Sequence, residues 1–307
     1  MLSWVPLFIN DNQIYKDSIG FLSMRSGDFF KLIRINQWYK NILIYTALIF
    51  SLNLFNLKYF ILISGGFLSL CLISSSFYII NDIVDLSKDQ KHPEKKERPI
   101  TSGKISKNDG ILISTILFFI SLTIAYFLSL SFMALIFSLF LLSMLYTFYF
   151  KKFIFLDILF ISINLVLRSV SGIFIINVPF SYWVVLCIFS VSVFLVGLKR
   201  VAELYIVDHS SCRPCYKKDH ITILKLLSIV SLTCALLIFG VYCFLFKKIN
   251  LILDIPIALY LCLSYLKTLK DSPRKVRNPK EFILEKKTIL CLIIFLIITI
   301  LSLYFFK

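Results

Sequence analysis

Residues 59–89 read YFILISGGFLSLCLISSSFYIINDIVDLSKD, and the two parts of this stretch decide the fold. The first part, 59–81, carries no charged residue. It is long enough to cross a bilayer as a helix, which takes about 20 apolar residues. The second part places Asp82, Asp85 and Asp89 at i, i+3 and i+7, with Asn81 four residues before Asp85. At about 100° per residue these four side chains share one quadrant of a helix, at the end of a span.

Eight further apolar runs of similar length follow or precede this one: 41–58, 110–130, 132–150, 154–176, 181–203, 221–246, 250–268 and 288–306. The 307 residues are 59% apolar and 16% charged, with a mean hydropathy of +0.87. A soluble domain is about 45–50% apolar and about 25% charged, so that class is excluded. Nine Gly and eight Pro exclude a collagen-like or low-complexity chain, and eight thinly spread Cys exclude a disulfide scaffold. The expected architecture is an all-α polytopic membrane protein with nine transmembrane helices. Residues 1–30 read as an N-terminal cytoplasmic lead-in and 31–307 as a single membrane domain. The first span starts too late to be a signal peptide.

The net charge is +16. Of the 33 Lys and Arg, 28 fall before residue 41 and in the loops and helix ends that a nine-span path puts on the same side. Basic loops stay cytoplasmic. This places the N-terminus in the cytoplasm and the C-terminus outside, in a bacterial inner membrane. The charge is therefore a topology signal and no nucleic-acid partner is expected. A basic face of this kind also suits phosphorylated substrates and anionic membrane lipids. The oligomeric state is left open.

Three carboxylates on one helix face repel each other and lose hydration near lipid. A cation among them relieves both costs. Oxygen-only ligands suit a hard ion, and Mg²⁺ takes one or two carboxylates plus substrate phosphates. Asp82, Asp85 and Asp89, with Asn81 beside them, are thus candidates for a metal–diphosphate site. In the loop that follows, punctuated by Pro93, Pro99 and Gly103, Lys95 and Arg98 are placed to meet phosphate oxygens.

Further along, Asp157, Asn164 and Arg168 are spaced i, i+7 and i+11, one stripe of the fifth span that Ser171 extends. Arg168 either pairs with a carboxylate between helices or binds phosphate in a central cavity. At the end of the sixth span Lys199, Arg200 and Glu203 share one quadrant. They read either as a membrane anchor with a helix ion pair or as part of a site. His209, Cys212, Cys215 and His220 are zinc-ligand types, but one short loop supplies them and Arg213, Lys217 and Lys218 crowd it; no zinc site is expected.

The run Asn81-Asp82-x-x-Asp85-x-x-x-Asp89, followed by Arg98-Pro99-x-x-Ser102-Gly103-Lys104, resembles the first aspartate-rich motif of the UbiA-type intramembrane prenyltransferases. Three further elements are similar to one branch, the decaprenyl-phosphate phosphoribosyltransferases: Arg34-x-x-Gln37-Trp38-x-Lys40-Asn41, His92-Pro93-x-Lys95, and Lys199-Arg200-x-x-Glu203-Leu204. The likeness runs in patches from 31 to 220, with a weaker echo in 271–287. It implies a UbiA-like bundle around a central cavity open to the cytoplasm. It also implies a second acidic site after a Tyr-x-x-x-x-Lys turn, where Tyr146, Lys151 and Asp157 stand. The implied reaction moves 5-phosphoribose from phosphoribosyl diphosphate to a polyprenyl phosphate, with Mg²⁺ bound by Asp82, Asp85 and Asp89. Lys199, Arg200 and Glu203 join those aspartates as catalytic candidates, and Gln37, Lys40, Asn41, Asn164 and Arg168 line the substrates. The alternative is transfer of a prenyl group from its diphosphate to an aromatic or quinone precursor. Many aromatic prenyltransferases carry a second full Asp-x-x-x-Asp, which this sequence lacks.

Overall fold

The computed structural model describes residues 25–91, 94–179, 181–206, 219–246 and 248–305. His209, Cys212 and Cys215 lie outside the described residues, as does most of the 1–30 lead-in. Among the described residues every regular element is helical.

A short helix α1 (Ser26–Leu32) leads through Arg34 into a 3₁₀ stretch, Ile35–Tyr45, that continues directly as α2 (Thr46–Phe50). The long helix α3 (Leu57–Val84) ends in a one-turn helix α4 (Leu86–Asp89) that carries the last aspartate. Helices α5 (Lys107–Leu128), α6 (Leu130–Phe148), α7 (Ile154–Val170) and the short α8 (Ile173–Ile176) follow. The second half holds α9 (Tyr182–Ile206), α10 (His220–Leu245) and α11 (Asp254–Asp271). Two short helices, α12 (Pro273–Arg277) and α13 (Pro279–Ile283), then connect to α14 (Lys286–Tyr304).

Among the described residues eight helical segments are long and apolar enough to cross a membrane, and each overlaps one of the expected runs. The run at 41–58 differs: it forms no long α-helix. Its residues follow a period of three, because in a 3₁₀ helix side chains at i and i+3 eclipse. Trp38, Asn41, Ile44 and Ala47 form one such row. Trp38 Nε1 donates to Ser75 Oγ at 3.2 Å, Asn41 Nδ2 to Cys71 Sγ at 3.2 Å, and Ile44 packs over Gly66. The row therefore lies antiparallel along α3. Arg34 pairs with Asp82 at the end of α3, while Asn56 caps its start by accepting from the Tyr59 N–H at 3.3 Å. The segment between them lies along α3. At about 2.0 Å per residue over Ile35–Tyr45 and about 1.5 Å over Thr46–Phe50, its helical part rises roughly 30 Å, against roughly 42 Å for the 28 residues of α3.

Small residues set the close helix contacts, as expected where lipid supplies no hydrophobic drive for association. Ser69 and Ser121 exchange hydroxyl-to-carbonyl hydrogen bonds between α3 and α5 at 3.0 and 2.8 Å. Ser76 and Ser114 repeat the exchange one heptad on, at 2.9 Å each way. At Gly172 a Cβ would stand 2.6 Å from the Ile44 carbonyl oxygen, so only glycine lets the Ile35–Tyr45 segment sit against the α7–α8 junction. Outward faces carry large apolar side chains such as Phe119, Phe127, Leu237 and Phe244, the surface a lipid phase would cover.

The loop after α4 is folded back onto the bundle. Ile100 and Ile105 are buried against Ile79, Ile113 and Leu117, and Gly103 turns the chain at φ +74°. This docking fixes Arg98 over the end of α3.

Candidate active site

Two groups of polar side chains occupy the end of the bundle where α3, α6, α7 and α9 finish or begin, and a third lies deeper along α7. The first is a ring around the aspartates. Asp82 and Asp89 are buried, with Asp85 partly so. Arg98 Nη1 donates to Asp82 Oδ1 at 2.7 Å and to Asp89 Oδ2 at 2.5 Å. Arg34 joins Asp82 from the other side, and Lys95 Nζ stands 3.5 Å from Asp89. Lys151, brought from the α6–α7 turn, holds Asp85 at 2.6 Å. Asn81 accepts from Thr147 Oγ1 at 3.3 Å, tying the same turn of α3 to α6. Burial beside Arg34 pulls the Arg98 guanidinium below its ordinary range, against the upward pull of Asp82 and Asp89.

One Arg98 nitrogen thus sits where a cation shared by Asp82 and Asp89 would sit. Among the described residues no three Asp, Glu, His or Cys gather closely enough to hold a metal on protein ligands alone. Two converging carboxylates with room for further oxygens suit Mg²⁺, which fills its shell with water and substrate phosphate. The donor set fits that ion, and it does not fit one that needs an all-protein cage.

The second group is a closed, charge-dense knot. Asp157, fully buried at the start of α7, accepts from Tyr146 Oη at 2.7 Å, from Arg200 Nε at 2.5 Å and from Arg200 Nη2 at 3.2 Å. Arg200 Nη1 also donates to both Glu203 oxygens, at 2.8 and 2.7 Å. The knot joins α6, α7 and α9. Both Asp157 oxygens are already engaged by Arg200 and Tyr146. Lys199, its neighbour on α9, is half-buried.

The third group lies deeper. Arg168 is 2% exposed. Its Nη1 donates to Asn41 Oδ1 at 2.6 Å and its Nε to Asn164 Oδ1 at 2.8 Å. Asn164 Nδ2 in turn donates to Ser143 Oγ at 3.0 Å. The Arg168 guanidinium lies 5.8 Å from the Phe77 ring centre, and Arg34 lies 5.0 Å from that of Tyr78. Lys40 Nζ donates to Gln37 Oε1 at 3.0 Å, one 3₁₀ turn away. Among the described residues no carboxylate pairs with Arg168; its partners are the amides of Asn41 and Asn164 and the Tyr78 hydroxyl.

All of the sequence-derived candidates therefore lie within these groups or beside them. Arg34 and Tyr78 were not among them. Tyr78 had a local signal, since it precedes Asp82 by four residues and shares its face. Arg34 contacts Asp82 across 48 residues, and no sequence spacing reports that.

A model of the UbiA prenyltransferase family matches residues 42–285. A "Decaprenyl-phosphate phosphoribosyltransferase" of Mycolicibacterium smegmatis is 29% identical over 189 residues, 60% of this chain and 59% of that protein. One of Mycobacterium tuberculosis is 28% identical over 222 residues, 70% of this chain and 73% of that protein. Among solved structures, a UbiA homolog from Archaeoglobus fulgidus bound to GPP and Mg²⁺ superposes with a TM-score of 0.67 at 18% identity. It covers 89% of this chain and 99% of that one.

Proposed function

Because the chain belongs to the UbiA prenyltransferase family, and is thus a multi-pass membrane transferase, we propose that it transfers 5-phosphoribose from phosphoribosyl diphosphate to a polyprenyl phosphate. The observation that carries this reading is the buried Arg168 with no carboxylate partner among the described residues. A guanidinium withdrawn from water without a counter-ion is costly, so it calls for an anion. Joining two phosphorylated substrates needs two separate anion seats. The aspartate ring serves the diphosphate end of the donor; Arg168, with Lys40 near it, serves the acceptor phosphate.

The reaction breaks the anomeric C–O bond of the donor, and the electron pair leaves with diphosphate. A lipid phosphate oxygen forms the new C–O bond. That phosphate is already ionised, so the chain need not supply a strong base. Its task is to aim the anion, which the amides of Asn41 and Asn164 do by fixing the Arg168 fork. The developing oxocarbenium character is shielded from water by the apolar bundle. Mg²⁺ held by Asp82 and Asp89, with Asp85 beside them, would neutralise charge on the leaving diphosphate. Arg34, Arg98 and Lys151 hold the three carboxylates in place until it binds. The Asp157–Arg200–Glu203 knot positions α9 and with it Lys199.

The basic end faces the cytoplasm in this reading, in a bacterial inner membrane, where a water-soluble donor can reach it. The relatives named as decaprenyl-phosphate phosphoribosyltransferases support the choice of substrates. The deciding assay offers purified protein labelled phosphoribosyl diphosphate with polyprenyl phosphate and, separately, prenyl diphosphate with hydroxybenzoate. Labelled lipid from the first pair is the expected result; product from the second pair alone overturns it.

A further inference from the structure

Arg34, Lys95, Arg98 and Lys151 are already engaged by the three aspartates, so none of them is an uncommitted partner for a third phosphate. On the reading above, the donor carries one: the 5-phosphate, on the far side of the ribose from the diphosphate. Two cations from the connection between α11 and α14 reach the segments around that rim. Arg277, at the end of α12, reaches Glu94, the residue before Lys95. Lys280, on α13, donates to Asn36 Oδ1 at 2.9 Å, two residues after Arg34. Both cations therefore reach across to segments that bear the site.

Arg277 is not an ordinary surface pair. Its side chain is 11% exposed, while that of Glu94 is 60% exposed. The turn that carries it is anchored from below. Val276 is fully buried, and its carbonyl oxygen accepts from Tyr265 Oη at 3.0 Å. Tyr265 packs edge-on against Phe282 with ring centres 4.9 Å apart. The guanidinium is thus held by the core, and an exposed acidic side chain comes to it. A carboxylate on an arginine fork occupies the place a phosphate would take.

We propose that Arg277 is the seat for the sugar phosphate of the donor, and that Glu94 fills this seat until a phosphomonoester displaces it. This rests on the proposed donor and adds a residue outside the aspartate-rich motif. It also gives the basic 271–287 connection a role in donor recognition.

The test compares two inhibitors of phosphoribosyl transfer, ribose 5-phosphate and inorganic diphosphate, in wild type and variants. Arg277→Ala should weaken inhibition by ribose 5-phosphate about ten- to hundredfold, the worth of a charged hydrogen bond, and leave diphosphate inhibition unchanged. Arg277→Lys should restore part of the loss. Glu94→Gln should tighten ribose 5-phosphate inhibition, because the competing carboxylate is gone. If Glu94→Gln weakens it or leaves it unaltered, or if Arg277→Ala changes both inhibitors alike or neither, the assignment is wrong. A wild-type protein that transfers no phosphoribose sinks the donor reading itself, a different outcome from an active wild type with an indifferent Arg277.

Discussion

Arg168 Nη1 lies 2.6 Å from Asn41 Oδ1, a contact that joins the Ile35–Tyr45 segment to α7 across 127 residues of sequence. It fixes a positive charge deep in the bundle with amides in place of a counter-ion. A cation in that setting serves a ligand better than it serves the fold.

Arg168→Met should therefore separate activity from stability. Removing a buried, unneutralised charge is neutral or stabilising in many proteins. Thermal unfolding in detergent should shift by no more than a few degrees, while turnover falls about a hundredfold, from the loss of charged hydrogen bonds to the acceptor. A Tm loss of more than about 10 °C would assign Arg168 to the scaffold.

Asp157 should behave in the opposite way. Arg200 and Tyr146 depend on it, and breaking one member of a buried ion pair costs about 3–5 kcal/mol. Asp157→Asn should lower Tm strongly. Adding Arg200→Gln should recover part of that loss, because the stranded charge is gone. A double-mutant cycle on thermal stability reads the coupling; additive losses would mean that the two side chains act independently.

The aspartate ring predicts a graded metal response. Asp82→Asn and Asp89→Asn should each abolish most turnover, and the residue of activity should need more Mg²⁺ for half-saturation. EDTA should stop wild-type turnover, and added Mg²⁺ should restore it. Initial rates against metal concentration measure both effects; an Asp89→Asn enzyme with wild-type rate and metal demand would exclude that side chain from the metal.

Much of this arrangement could be read from local spacing. The uncharged run 59–81 and the i, i+3, i+7 aspartates place α3 and its functional end, and the stripe from Asp157 to Arg168 places α7. Contacts between distant segments could not be read this way. Lys151 meets Asp85 and Arg34 meets Asp82 because the end of α6 and the start of the Ile35–Tyr45 segment lie beside the end of α3, a tertiary fact. The run at 41–58 was legible as apolar, but its helix type was not, because a window of hydropathy does not report the rise per residue. Trp38 and Asn41 of the Ile35–Tyr45 segment fall three positions apart and mark a different helix.

Close packing gives a fourth expectation. Gly172→Ala would bring a Cβ within 2.6 Å of a backbone oxygen, which has no rotamer to escape into. Overpacking of this kind costs about 1–3 kcal/mol. Gly240→Ala, with nothing within 4 Å of the added carbon, is the matched control. Tm should fall in the first variant and hold or rise in the second; equal values would mean that the α7–α8 junction yields freely.

Three residues per turn gives Ile35–Tyr45 a rotational phase of about 120° per residue. Losing or gaining a single residue there would swing Asn41 a third of a revolution off Arg168 and carry Gln37 and Lys40 out of register together. A change of three would return every side chain to its bearing and only lengthen or shorten the rod. Insertions and deletions in this segment should therefore be tolerated in triplets, an arithmetic foreign to the α-helices around it.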